Sequence, residues 1–309
     1  MKHLISVHDL GSNEINEIFK LSARLKAELK QGIEHHILKG KTLGMIFTKS
    51  STRTRVSFEA GMYQLGGYPM FLSANDIQLG RGETIYDTAK VLSRYIDGIM
   101  IRTYKQSDVE DLARYGTIPV INALTDLMHP CQILADLFTV YELKGGLKGL
   151  KLAYVGDGNN VANSLLHGCA KVGMDIAVAS PRGFECNAQI IREATEDAEK
   201  SGARITLTED PVEAVSGADV VYTDTWVSMG MEAEKEERVK IFMPYQVNGT
   251  LFANARKDAI FLHCLPAYRE YEVTGEIIDG PQSMVFEEAE NRLHVQKAVM
   301  VMLMAAKNG

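Results

Sequence analysis

The stretch Thr42-Leu-Gly-Met-Ile-Phe-Thr-Lys-Ser-Ser-Thr-Arg-Thr-Arg-Val-Ser-Phe-Glu-Ala-Gly61 joins two different patterns of hydrophobicity. Residues 43–47 form an apolar run of strand length. After residue 55, apolar side chains recur at helical spacing until Gly66-Gly67 interrupts them. The run Ser51-Thr-Arg-Thr-Arg55 is therefore predicted to lie at a turn from a strand into a helix.

This turn contains the residue types of an anion site. The first N–H groups of a helix have no intrahelical partner, and the helix dipole adds partial positive charge there. Hydroxyl groups and an arginine fork can close around a phosphate at such a position. The alternative is a helix cap followed by a solvated ion pair of Arg55 and Glu59. The density of hydroxyls and arginines favours the anion site.

Composition limits the class of protein. A chain of 309 residues with 46% hydrophobic content can bury a large core, and its length suggests about two domains. The net charge of −7 argues against a general nucleic-acid binder but allows a local basic pocket, so we expect a small anionic partner.

The N-terminus lacks a secretory apolar core and no uncharged run reaches membrane-spanning length, so we expect a cytoplasmic protein without membrane contact. The four cysteines lack zinc or disulfide spacing, so no metal site is expected.

Strand and helix patterns alternate over residues 42–132, which predicts a parallel sheet with right-handed crossovers. Such sheets bind ligands at the carboxyl ends of their strands. Arg102 ends a predicted strand and is a candidate for this reason, although an ordinary edge charge is the alternative. His129 and Gln132 flank Pro130 at a predicted helix start, where a histidine can stay neutral and donate one hydrogen bond.

The glycine-rich segment 144–149 is the clearest break in composition, and a second alternation of strands and helices follows it. We therefore place a domain boundary along the helix that precedes this segment. The predicted fold class is α/β, with two domains that each contain a parallel β-sheet flanked by helices.

The turn Gly156-Asp-Gly-Asn-Asn160 resembles the beginning of a dinucleotide-binding fingerprint. Val161 occupies the position of the third glycine, and the next strand ends in Ser180-Pro-Arg182 instead of an acid for the ribose. We therefore expect no nicotinamide cofactor. Asn159 and Asn160 could instead donate hydrogen bonds to a substrate carboxylate at this helix start.

Two further strand ends carry candidate ligand groups. Asp224 follows a predicted buried strand and can pair with an ammonium group, unless it caps the next segment. Cys264 follows another strand next to His263, but adjacent residues on an extended chain face opposite sides, so His263 cannot easily activate the thiol. Contact of Cys264 with a ligand and a buried inert cysteine remain the two alternatives.

Two charged features near the end of the chain differ in their expected roles. Residues 232–238 form a charged run that predicts a solvated helix start without a role in the site. Arg292 lies among apolar residues of a long C-terminal helix and needs a partner, which a bound phosphate would supply.

The candidate groups fall at strand ends of both predicted sheets, and we expect the two sets to face a cleft between the domains. The first set is Ser51 to Thr54, Arg102 and His129. The second set is Asn160, Asp224, Ser228 and Cys264.

Three motifs in this order, Ser51-Thr-Arg-Thr-Arg55, His129-Pro-Cys-Gln132 and His263-Cys-Leu-Pro266, resemble the aspartate/ornithine carbamoyltransferase family. Asp224-Thr-Trp-Val-Ser-Met-Gly230 is similar to the ornithine branch in particular, and the resemblance runs nearly end to end. It implies a carbamoyl phosphate-binding domain over residues 1–133, with the C-terminal helix (285–309) packing back on it. It also implies an ornithine-binding domain over residues 134–284.

The resemblance further implies where carbamoyl phosphate binds. The groups that would hold the phosphate are Ser51, Thr52, Arg53, Thr54 and Arg292. The groups that would hold the carbonyl oxygen are Thr54, Arg102 and His129. Gln132 and the main-chain oxygens around Cys264 and Leu265 would hold the amide. Gln78 matches a position that reaches a neighbouring subunit in this family, whose catalytic unit is a homotrimer, alone or in multiples.

For the acceptor, the resemblance places the α-carboxylate of L-ornithine on Asn160 and its α-amino group on Asp224, Ser228 and Met229. The δ-amine would lie near Cys264 and attack the carbonyl carbon, with Cys264 as proton acceptor and Arg102 and His129 stabilising the oxyanion. No cofactor is required. Acetylornithine or putrescine remains an alternative acceptor, and a non-catalytic anion-binding relative is the alternative from another class.

Overall fold

The computed structural model describes residues 1–227 and 235–305. The chain folds into two compact units. Unit 1 comprises Met1–Ala135 and Asn291–Gly309, and unit 2 comprises Asp136–Glu290.

Unit 1 contains a four-stranded sheet in the order β2-β1-β3-β4, and every pair of neighbouring strands is parallel. Its elements in chain order are α1 (Ser12–Lys30), β1 (Thr42–Phe47), α2 (Thr52–Gln64), β2 (Tyr68–Ser73), a 3-10 helix (Gln78–Arg81), α3 (Ile85–Leu92), β3 (Gly98–Arg102), α4 (Gln106–Tyr115), β4 (Val120–Leu124) and the start of α5 (Pro130–Lys144). β3 and β4 are buried along their whole length, which explains their uninterrupted apolar character.

Unit 2 contains a five-stranded parallel sheet in the order β7-β6-β5-β8-β9. Its elements after α5 are β5 (Lys151–Val155), α6 (Asn160–Val172), β6 (Asp175–Ala179), α7 (Ala188–Ser201), β7 (Ile205–Thr208), α8 (Pro211–Val215), β8 (Val220–Tyr222), α9 (Lys235–Phe242), a 3-10 helix (Met243–Tyr245), α10 (Gly249–Phe252), β9 (Ile260–Leu262), α11 (Gly275–Ile278) and the start of α12 (Val285–Met304). The strand order reverses between β5 and β8, which is where doubly wound sheets bind ligands.

The α/β class and the two parallel sheets are confirmed. The return of the C-terminal helix to the first domain is also confirmed, because α12 belongs to unit 1 from Asn291 onward. There the Lys26 ammonium of α1 donates to the Asn291 side chain at 2.8 Å. No helix in the described part of the chain is long and apolar enough to cross a membrane.

Gly158 explains why the β5–α6 turn resembles a dinucleotide fingerprint. Its N–H donates to the Phe184 carbonyl at 2.8 Å, and a Cβ at this position would lie 2.3 Å from the Cys186 nitrogen. The glycine therefore permits close packing of a neighbouring loop of the protein itself, which accounts for the residue without any dinucleotide.

Candidate active site

The hydroxyl-rich stretch of unit 1 forms the N-terminus of α2, as its sequence predicts. Ser51 is the cap, and its Oγ accepts a hydrogen bond from the Thr54 N–H at 3.2 Å. The first turn of α2 holds two arginines and no acid, so nothing on this turn neutralises the positive end of the helix dipole. The turn is therefore electrostatically suited to an anion.

Two buried arginines are grouped with this helix start. Arg292 of α12 donates from Nη2 to the Thr54 hydroxyl at 3.0 Å. Arg102, the last residue of β3, is also buried, and both guanidinium groups act electrostatically on the imidazole of His129. Burial lowers the pKa of His129 well below its usual value, and the charges of Arg292 and Arg102 lower it further. His129 is therefore neutral at physiological pH and can donate one hydrogen bond without adding charge.

The anion site and the surface ion pair, which the sequence offers as alternatives, involve different side chains of this stretch. The Arg55 side chain pairs with Glu59 at 2.9 Å and lies over the Phe71 ring, so it forms the ordinary surface pair. Ser51 and Thr54 instead contact each other, with their hydroxyl oxygens 3.1 Å apart. The candidate anion site is therefore formed by the hydroxyls of Ser51 and Thr54 and not by the Arg55 side chain.

The remaining predicted residues of unit 1 lie on three elements. Thr52 and Arg53 lie in the first turn of α2. Gln132 lies fully buried in the first turn of α5, and its backbone N–H donates a hydrogen bond to the His129 carbonyl at 3.1 Å. Gln78 differs from them because it is exposed and begins a separate 3-10 helix.

In unit 2, Asn159 joins the β5–α6 turn to Asp224. The Asn159 side-chain oxygen caps α6 by accepting from the N–H groups of Val161 and Ala162, and its amide donates to Asp224 at 2.8 Å. Asn160 is the first residue of α6. The sequence identifies both asparagines as candidates. It does not reveal the hydrogen bond between Asn159 and Asp224, because these residues are 65 positions apart.

Cys264 contacts Asp224 directly. Its thiol donates to Asp224 Oδ1 at 3.2 Å. Burial raises the pKa of Cys264 well above its ordinary value, and the Asp224 and Glu288 carboxyls raise it further. The sulfur is therefore a protonated thiol at neutral pH, which argues against the free thiolate that a simple proton acceptor would need.

His263 is directed away from the thiol. Its Nδ1 accepts from the Leu265 N–H at 2.9 Å, and its Nε2 lies 3.3 Å from the Glu272 carboxylate. Asp224, His263 and Cys264 nevertheless bring one ligand atom each within 4.8 Å of the others, an arrangement that metals also use. Each of these atoms already takes part in a hydrogen bond, and we assign no metal to the group.

The expectation that residues 232–238 form a solvated helix start holds for residues 235–237, which are exposed at the start of α9, and is wrong for Arg238. Residues 232–234 lie outside the described part of the chain. Arg238 is buried, its Nε donates to the Trp226 carbonyl at 2.5 Å, and its Nη2 pairs with Asp157. Burial raises the pKa of Asp157 to about 6, and the Arg238 charge opposes that rise. The arginine therefore connects the β5–α6 turn to the segment after β8, close to Asp224 in sequence.

Ser228 and Met229, predicted for the acceptor amino group, lie outside the described residues. Leu265 lies within them and adopts a left-handed backbone with φ of 56°, an unfavourable conformation for a branched side chain. Strained positions of this kind are enriched at functional sites.

Comparison with known proteins gives consistent matches. A family model described as the aspartate/ornithine carbamoyltransferase carbamoyl-P binding domain matches residues 2–142, and its Asp/Orn binding domain matches residues 148–303. An ornithine carbamoyltransferase of Carboxydothermus hydrogenoformans is 60% identical over 303 residues, covering 98% of this chain and 97% of that protein. One of Bacillus subtilis is 59% identical, covering 97% of this chain and 92% of that protein. The solved ornithine carbamoyltransferase of Pyrococcus furiosus has a TM-score of 0.96 at 54% identity and covers 98% of this chain and 97% of its own.

Proposed function

The chain belongs to the aspartate/ornithine carbamoyltransferase family, and we propose that it transfers the carbamoyl group of carbamoyl phosphate to the δ-amine of L-ornithine, giving L-citrulline and phosphate. The observation that carries this proposal is the cluster in unit 1, where Arg292 donates to Thr54 at the N-terminus of α2 beside Arg102 and a neutral His129. We further propose that the reaction serves arginine metabolism in the cytoplasm.

Carbamoyl phosphate would bind to this cluster with its phosphate on Ser51 to Thr54 and Arg292. The proposal is supported by two fixed positive charges and a helix N-terminus, which together match a dianionic group. The carbonyl oxygen would lie on Thr54, Arg102 and His129, and the amide on Gln132 and the main-chain oxygens around Cys264 and Leu265. Donors that are already in place stabilise the developing oxyanion without reorganising during the reaction.

Ornithine would bind to unit 2, with its α-amino group on Asp224. The buried carboxylate is held by Asn159 and Cys264, which supports its role as an oriented partner for a cation. Asn160, Ser228 and Met229 complete the proposed set through the family resemblance.

The proton of the attacking amine needs a destination. Free alkylamines have a pKa of about 10.4, so the reaction favours alkaline pH. Because Cys264 keeps its own proton, we propose a relay in which the amine proton moves to Sγ as the thiol proton moves to Asp224 Oδ1. The neutral amine then attacks the carbonyl carbon, and the C–N bond forms as the bond from carbon to the phosphate oxygen breaks. Phosphate leaves with the electron pair and takes the second proton that the amine nitrogen loses.

A homotrimer is proposed as the assembly, alone or in multiples. Supporting it, four large apolar side chains are exposed on α2 and on the edge strand β2: Val56, Tyr63, Tyr68 and Phe71. Exposed apolar groups beside an open sheet edge are typical of protein interfaces. Gln78 would extend from this unit to a neighbouring subunit. Sedimentation of wild type and Tyr63→Glu tests the assembly, since a trimer held by this surface would dissociate in the variant.

The acceptor is tested by assaying ureido product from carbamoyl phosphate with ornithine, acetylornithine, putrescine or aspartate in parallel. Product with ornithine alone supports the proposal. Product with another amine alone would keep the carbamoyl donor and replace the acceptor, whereas carbamoyl phosphate binding without any product would indicate a non-catalytic relative.

A further inference from the structure

Glu288, in the first turn of α12, joins the ends of two neighbouring strands. Its Oε1 accepts a hydrogen bond from the Tyr222 hydroxyl at 3.1 Å, and its Oε2 accepts one from the His263 backbone N–H at 2.8 Å. Tyr222 ends β8 and His263 follows β9, and these two strands pair with each other. Asp224 comes two residues after Tyr222, and Cys264 comes directly after His263. One carboxyl group therefore holds both segments that carry the Asp224–Cys264 contact.

This carboxyl group is fully buried against a second acid. Asp136 of α5 is also fully buried and hydrogen-bonds the Glu288 side chain. Burial raises the pKa of Glu288 well above its ordinary value, and the Asp136 carboxyl raises it further. Burial and mutual repulsion disfavour ionisation of both carboxyls, which favours a proton shared between Glu288 and Asp136. That proton satisfies the contact between the acids while the Glu288 oxygens accept from Tyr222 and His263.

We propose that Glu288 is a positioning residue for the carbamoyl transfer. It touches neither substrate and acts by keeping the ends of β8 and β9 in register, so that the Cys264 thiol and the Asp224 carboxylate keep their contact. This inference rests on the proposed function and adds to it a residue that the motifs do not contain. A displacement of about 1 Å at a reacting group can lower a rate on the order of a hundredfold, so small changes at Glu288 should affect turnover.

The test compares three variants in the full chain by citrulline formation. Glu288→Leu removes both acceptors at similar volume, and we expect kcat to fall on the order of a hundredfold. Glu288→Gln keeps an acceptor for the His263 N–H and a donor for Asp136, and kcat should stay within about threefold of wild type. Tyr222→Phe removes one hydrogen bond, and its kcat should lie between those two values. The KM for carbamoyl phosphate should change less than kcat in all three, because the groups proposed to bind its phosphate lie in unit 1 and only its amide is proposed to contact the main chain around Cys264.

Tyr245→Phe is the matched control. It removes another buried tyrosine hydroxyl of unit 2, which donates to the Glu209 carbonyl at 2.7 Å, and it should keep the wild-type kcat. A folded Glu288→Leu variant with wild-type kcat, or a Gln variant as impaired as the Leu variant, would overturn the inference. If Glu288→Leu does not fold, a wild-type kcat in Tyr222→Phe overturns it instead. Absence of citrulline from wild type would refute the proposed function and is distinguishable from these outcomes.

Discussion

The Cys264 sulfur lies 3.2 Å from Oδ1 of Asp224, and the thiol donates to that carboxylate. Asn159 holds the other oxygen of Asp224 at 2.8 Å, so the carboxylate is fixed on both sides. The contact joins the ends of two neighbouring strands and places a proton donor and a proton acceptor next to each other. It is the geometry on which the proposed relay depends.

Cys264→Ala should lower kcat roughly a hundredfold, because general acid–base steps contribute about 10²–10⁴-fold and the variant loses the sulfur that would pass the proton. Cys264→Ser retains a hydroxyl that can donate to Asp224 and should lose less. Cys169→Ala, at a buried cysteine of α6, is the control and should keep its kcat. Full kcat with an unchanged pH profile in Cys264→Ala would exclude the relay.

Arg292→Gln should weaken carbamoyl phosphate binding by about 10- to 100-fold, since a hydrogen bond to a charged group contributes about 1.5–3 kcal/mol. Calorimetric titration with carbamoyl phosphate measures the effect. Arg55→Gln changes another arginine, which stands on α2 and forms a surface pair with Glu59, and it should bind as wild type does. Equal losses in the two variants would mean that the effect comes from total charge and not from the cluster.

Arg238→Leu should lower the free energy of unfolding by about 3–5 kcal/mol, because it leaves the buried Asp157 carboxylate without its cation. Asp157→Asn in the same background should recover part of that loss, as measured by urea denaturation. The control is Arg256→Leu, whose arginine is 58% exposed where it pairs with Asp219 and should contribute less than about 1 kcal/mol. A loss in Arg238→Leu no larger than in this control would contradict the structural role.

Glu288→Gln should change how stability depends on pH. The pKa of Glu288 is raised in the folded protein, so its contribution to stability is complete below the unfolded pKa near 4.5 and is lost as pH rises toward the folded value. Within that window wild type should lose up to about 1.4 kcal/mol per pH unit from this group, and the variant should not. Urea unfolding at pH 5 and pH 8 measures the difference. Identical slopes for wild type and variant would show that the carboxyl is ionised when buried.

The parts of the site that could be predicted from sequence are those determined by local pattern. The cap at Ser51 follows from hydroxyl residues between a strand pattern and a helix pattern, and Arg102 is recognisable because it ends an apolar run. The neutral state of His129 also follows from its place at a helix start, although burial and two arginines, which the sequence does not reveal, contribute to it.

The parts that could not be predicted depend on contacts between distant segments. Glu288 and Tyr222 are 66 positions apart, and Arg238 and Asp157 are 81 apart. Within its own charged run Arg238 looks like any solvated helix residue, because local spacing cannot tell which charge a fold will bury. The thiol state of Cys264 likewise depends on burial and on a carboxylate that comes from another strand.

The most direct test of the central claim follows the labelled carbon from ¹³C-carbamoyl phosphate in the presence of ornithine by NMR. The account predicts that the label appears in the ureido carbon of citrulline, with one phosphate released for each citrulline formed and no turnover beyond spontaneous decay when ornithine is left out. Release of phosphate without labelled citrulline, or binding of carbamoyl phosphate without any reaction, would contradict the claim that this chain is a carbamoyltransferase for ornithine.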